Sequence, residues 1–176
     1  MVRNFSPSTS TLILSDDFND GTLAGWTPNL GAWTNPGTYM RGEYDLGNAW
    51  NMHSSTGSNL VYTGTVNILS GHGEGLVLRS SAAGASSYDL ILDTVDNVLK
   101  LSKRPPYQVL ASYPMTVQHD HPYVLKVVAN GSTLEGYLDG VKVLTVTDSA
   151  YTSGHLGVIL FLSTATYDDL EARRIR

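Results

Sequence analysis

GEGLVLRSSAAGASSYDLILD, residues 73–93, reads as two β-strands joined by a turn of small residues. Side chains alternate across an extended strand, so Gly75, Val77 and Arg79 share one face and Leu76, Leu78 and Ser80 the other. On the return strand Tyr88, Leu90 and Leu92 share a face, with Asp89, Ile91 and Asp93 opposite. The hairpin is expected in the middle of a sheet. A cation on so apolar a strand needs either a partner or a wet functional surface. Arg79 is therefore expected to mark a ligand face; the plainer alternative is an inward Arg paired with Glu74 or Asp93.

Outward from this hairpin the chain repeats the same grammar. Short β-branched or alternating runs are separated by Gly, Asn, Asp, Ser and Pro, and no segment has the 3.6-residue period of an amphipathic helix. Strands are expected at 11–15, 31–35, 38–44, 50–54, 59–68, 73–80 and 88–94. More follow at 98–103, 108–113, 121–130, 133–138, 141–147, 154–162 and 166–173. Asp96-Asn97, Asn130-Gly131 and Asp139-Gly140 read as tight hairpin turns. So many short strands predict an all-β antiparallel sandwich of the jelly-roll kind.

Composition narrows the class. The chain has 176 residues, 41% of them hydrophobic, which suits one domain with a two-layer core. A net charge of −5 leaves no basic patch for nucleic acid, and zero cysteines exclude disulfides and thiolate metal sites. No apolar run approaches the roughly 20 residues of a membrane span. The opening residues lack the apolar core of a signal peptide, and FSPSTS resembles a Ser/Thr/Pro linker. The expected organisation is a flexible linker remnant at 1–10 and a single β-sandwich at 11–176, excised from a longer secreted bacterial protein.

The ordered series DDFNDGTLAGWT, GAWT, LVYTGTVNI, GEGLVLRSS, YDLILD, YVLKVVANGSTLEGYLDGVKVL and SGHLGVILFLSTATYDDL, over about residues 16–172, carries a resemblance. It is similar to the concanavalin A/laminin-G-like jelly rolls, and most closely to the carbohydrate-binding modules appended to bacterial levanases. The resemblance implies a non-catalytic module that docks a tethered catalytic domain on its polysaccharide. It implies that Arg79 hydrogen-bonds the sugar. The levan-binding relatives place an Asp two residues after this Arg, where this chain has Ser81. Where they set a Trp on the penultimate strand, the matching position is Phe161.

Other candidate ligand contacts are Glu74, Tyr88, Trp50 and Asp139, with Glu43, Asp89 and Tyr107 as further candidates. Trp50 has an equally good place in a core, and Asp139 in the Leu-Asp-Gly turn is first a turn residue. Asp16, Asp17, Asn19 and Asp20 offer oxygens of the type calcium wants, although Gly21 comes too early for an EF-hand. The resemblance implies a structural calcium where the first and last strands meet, held by Asp17, Asn19 and Asp168. The bland reading is a set of turn-forming acids.

Two other functions stay open. Glu43-Tyr44-Asp45 puts two carboxylates on one face, similar to the Glu-x-Asp-x-x-Glu pattern of jelly-roll glycosidases, but the third position is Asn48. The remaining alternative is a laminin-G-like spacer without a glycan.

Overall fold

The structure, a computed structural model, describes residues 10–175. The linker expected at 1–10 therefore falls, but for Ser10, outside the described residues. Twelve strands follow in order: β1 (Thr11–Asp16), β2 (Trp26–Asn29), β3 (Ala32–Thr34), β4 (Met40–Gly57), β5 (Leu60–Ser80), β6 (Ser87–Asp93), β7 (Val98–Arg104), β8 (Gln108–Pro114), β9 (Tyr123–Asn130), β10 (Thr133–Leu138), β11 (Val141–Thr147) and β12 (Gly154–Arg174). All pair antiparallel, as the alternating sequence predicts.

Three pairs of expected strands are single long strands, β4, β5 and β12, and β2 was not anticipated. The intervening residues read as breaks because they include Gly47, Gly71 and polar neighbours. In the structure they are bends inside continuous strands. Gly71 has φ +94, Leu162 φ +46 and Gly47 φ +145, and the β4–β12 register slips between Phe161 and Ser163.

Each long strand thereby serves both layers of the sandwich. The first third of β5 pairs with β9, and Gly73–Leu78 pairs with β6. One layer runs β8-β7-β6-β5-β12-β4-β2; the other runs β11-β10-β9-β5-β12 and continues to β1, β3 and the start of β4. Between them lies one apolar core, with Leu76, Leu78, Leu90, Leu92, Leu99 and Leu101 from the first layer against Leu125, Val127, Leu134 and Leu144. Each such side chain contributes about 1.5–3 kcal/mol when fully buried.

Burial along β5 separates its two halves. Leu60–Ile68 alternates buried and part-exposed, as a sheet with one wet face should, whereas Gly73–Ser80 is buried on both faces. The outer face of the second half is recessed, and that recess holds the cleft described below.

At Gly71 an added Cβ would sit 2.1 Å from the Leu162 carbonyl oxygen, in a backbone region that side chains avoid. Gly71→Ala should lower the unfolding free energy by about 2 kcal/mol or more. Urea melts will check this, and an unchanged midpoint would mean the bend tolerates a side chain.

Candidate functional site

On the first layer, outward residues line up across five strands. One row holds Asn48, Phe161, Gly73 and Asp93; the next Trp50, Ile159, Gly75, Ile91 and Lys100; the third Met52, Gly157, Val77, Asp89 and Ser102. Glycine at 73, 75 and 157 lowers the middle of this face, beside a small apolar cluster of Met52, Val77, Ile91 and Ile159 on which Trp50 packs. Gly75 has no room for one, since its Cβ would lie 1.9 Å from the Leu90 carbonyl oxygen. The result is a trough with side walls.

The trough opens as a cleft of about 480 Å³. Phe161, His72 and Asn48 form one wall; Asp93, Lys100, Arg104 and Tyr107 form the other, with Gly73 and Ile91 between them. Tyr107 is held from beneath by cations: the Lys100 ammonium lies 5.7 Å and the Arg104 guanidinium 5.2 Å from its ring centre. Across the cleft the exposed Phe161 ring leans on His72 at 5.8 Å.

The charges of this face are paired. Lys100 Nζ donates to Asp93 Oδ2 at 2.6 Å and lies 3.7 Å from Asp96; Arg104 Nε donates to Asp89 Oδ2 at 2.7 Å. Burial by itself would raise Asp93, but the Lys100 bond and the N–H groups of Asp96 and Val95 outweigh it, and the carboxyl stays below its usual range. Burial likewise tends to lower Lys100, yet Asp93 and Tyr107 raise it overall. Both groups are therefore ionised near neutral pH. Beyond its Asp89 bond, Arg104 keeps its Nη groups free of protein acceptors among the described residues.

Of the expected contacts, the structure brings Phe161 and Tyr107 to this cleft. Trp50 lies on the same face beside it, with its ring 5.7 Å from the Arg104 guanidinium. Arg79 does not reach this cleft. It sits at φ +48, is 2% exposed, and donates to the carbonyls of Ser58 (2.9 Å), Gly131 (2.8 Å) and Tyr151 (3.0 Å). Its fork ties three loops at the end of the sandwich, with neither Glu74 nor Asp93 as partner. The strand bulges at Arg79, so strict alternation misplaced its side chain.

Glu74 is likewise displaced from the expected site. It points into the core, fully buried, and neither carboxyl oxygen has a hydrogen-bond partner. Burial pushes its pKa well above the usual carboxylate range. Tyr88 also faces the core, its hydroxyl donating to Asp148. Ser81 closes its own turn by accepting from the Ser86 N–H. Asp139 accepts from Val124 N–H at the β10–β11 turn, far along the other layer.

The acids named for calcium make local turn bonds. Asp16 is used by the Phe18 N–H and the Trp26 indole, Asp17 by the Asn19 N–H, and Asp20 by Thr22. Burial first, then the nearby carboxylates of Asp169, Asp17 and Asp16, raises Asp168. Yet among the described residues no three acidic or histidine side chains converge as ligands. Glu43 is paired with Arg41 at 2.8 Å, and with Asp45 lines a separate open hollow.

Lys100, Arg104, Asp93, Asp96, His72 and Asn48 were not among the expected ligand contacts. A signal for four of them existed. The Asp96-Asn97 turn sets the β6–β7 register, which lays the outward Asp89, Ile91 and Asp93 against the outward Lys100, Ser102 and Arg104.

No family model matches the chain. Over 153 residues it is 27% identical to levanase of Bacillus subtilis (strain 168), which covers 84% of this chain but only 22% of that protein. The structure is similar to the carbohydrate-binding module CBM66 from Bacillus subtilis, with TM-score 0.79 and 26% identity over 85% of this chain and 95% of that one. β-Agarase A from Zobellia galactanivorans shares the fold at TM-score 0.71 and 14% identity, over 94% of this chain and 92% of that one.

Two outcomes follow from the misplaced candidates. Arg79→Met should strand three carbonyls and cost about 3 kcal/mol, read as a lower thermal midpoint. Because Glu74 has a raised folded pKa, its stabilising protonated form is retained at low pH and lost as pH rises. Glu74→Gln should therefore melt with the parent at pH 4 and increasingly above it toward alkaline pH; a constant offset would refute the buried-acid account.

Proposed function

We propose that this non-catalytic carbohydrate-binding module, of the kind appended to levanase, holds its glycan in the cleft between Phe161 and Tyr107. The observation that carries the proposal is the pairing of exposed aromatic walls with the Lys100–Asp93 and Arg104–Asp89 ion pairs, in which the Arg104 Nη groups keep free donors among the described residues. A sugar ring presents apolar C–H faces and polar edges. Phe161 and Tyr107 would take the faces, Lys100 and Arg104 would donate to ring hydroxyls, and Asp93 and Asp96 would accept from them.

Paired charges suit a neutral ligand. Each ion pair cancels its own long-range field yet keeps directional hydrogen-bonding groups in place. The same pairing speaks against hydrolysis, which needs one carboxyl able to deliver a proton across the scissile bond. Asp93 is held ionised; Asp89, which burial raises despite Arg104 and Ser87, has no exposed surface from which to hand on a proton.

A cleft of about 480 Å³ favours a chain end over a long internal segment. The similarity to levanase supports a fructan as the glycan, and an extracellular enzyme as the longer protein in which the module serves. There it would raise the local concentration of a catalytic domain at its polysaccharide.

Affinity electrophoresis through gels containing levan, inulin, xylan, pectin or β-glucan tests the proposal. Levan should retard the protein. Phe161→Ala and Tyr107→Ala should each weaken retention by about tenfold or more. Their rings are 39% and 50% exposed, so the melting temperature should barely move. Retardation by none of the polymers would overturn the assignment.

A further inference from the structure

We propose that a second saccharide subsite adjoins the cleft on the face of Trp50, and that the loop 81–86 covers it until an oligosaccharide displaces the loop. This rests on the cleft being the glycan site. The loop, SAAGAS, joins β5 to β6 and crosses the outer face of the first layer. Gly84 lies directly on the indole: a Cβ there would be 2.6 Å from Trp50 Cδ1 and Cγ and 3.1 Å from Cδ2. A flat peptide thus occupies the place on an aromatic platform that a sugar ring would take.

The indole nitrogen beneath the cover is left without a partner: Trp50 Nε1 is buried with no acceptor among the described residues. Buried donors without acceptors are unfavourable, and a ligand rich in hydroxyls would supply what the loop does not.

The loop itself is lightly held. Its N–H groups turn back on Ser81 and Ser86, and one hydrogen bond ties it to a neighbouring strand among the described residues, from Asn29 Nδ2 to the Ala83 carbonyl at 2.7 Å. Ala82, Ala83 and Ala85 are exposed, so of the apolar surface that the loop covers it is the indole face that lifting it would bare, and a sugar ring would cover that face again. Trp50 is also continuous with the cleft. Asn48, two residues away on β4, lines the cleft wall, and Arg104 touches both rings, Tyr107 and Trp50. A second ring on Trp50 would belong to the same bound chain.

Calorimetric titration with fructose and with a levan-derived trisaccharide tests the subsite. The trisaccharide should bind more tightly than fructose. Asn29→Ala releases the loop and Gly84→Ala forces it off the indole, and each should strengthen trisaccharide binding several-fold without changing fructose binding. Trp50→Ala should weaken the trisaccharide by about tenfold and leave fructose unaffected. If that variant does not fold, the two loop variants decide the question. Equal affinities for both sugars, unaltered by either loop variant, would overturn the subsite while the cleft assignment stands. Binding of neither sugar by the parent protein would overturn both.

Discussion

Continuity of three strands through both layers is the constraint on which the molecule depends. β4, β5 and β12 each contribute to both sheets, so the layers cannot separate without breaking ladders that β9, β6, β2 and β1 share with them. Such strands must bend, and the bends lie at Gly47, Gly71 and Leu162, where φ is positive. Just beyond them on β5 come Gly73 and Gly75. Lacking side chains, they sink the outer face of one layer into a trough. The same backbone geometry that joins the two layers thus creates the concavity beside the joint.

Two arginines show how surroundings assign a role to one residue type. Arg79 is consumed by three backbone carbonyls and acts as a clasp between loops. Arg104 meets a buried carboxylate with one nitrogen, lies against two aromatic rings, and keeps its remaining donors free among the described residues. Glu74 and Asp89 differ in the same way. Both are fully buried, but only Asp89 has a cation and a serine hydroxyl to hold it. Burial raises Glu74 without opposition, and it becomes a core residue that is sensitive to alkali.

The all-β jelly roll, its hairpin turns and its central β5–β6 hairpin were legible in the sequence, because side-chain alternation and Asn-Gly or Asp-Gly turns act over a few residues. The likeness to levanase-appended modules was legible too, since it lies in the order of motifs along the chain. The candidate cleft was legible only in part. Phe161 and Tyr107 were singled out, whereas Lys100 and Arg104 stood in KLSKR among ordinary strand charges.

What the sequence determined by itself is local: strand periodicity, turn chemistry, the absence of cysteine and basic patches, and the charge pattern on each strand face. The tertiary structure decided which of those faces became recessed and which charges met there. A one-residue bulge turned Arg79 away from the face that alternation assigned it, and glycine bends folded β4, β5 and β12 across two layers. Period-two alternation holds only while the ladder is regular. Wherever a strand slips register or bends, a side chain's destination depends on neighbours distant in the chain.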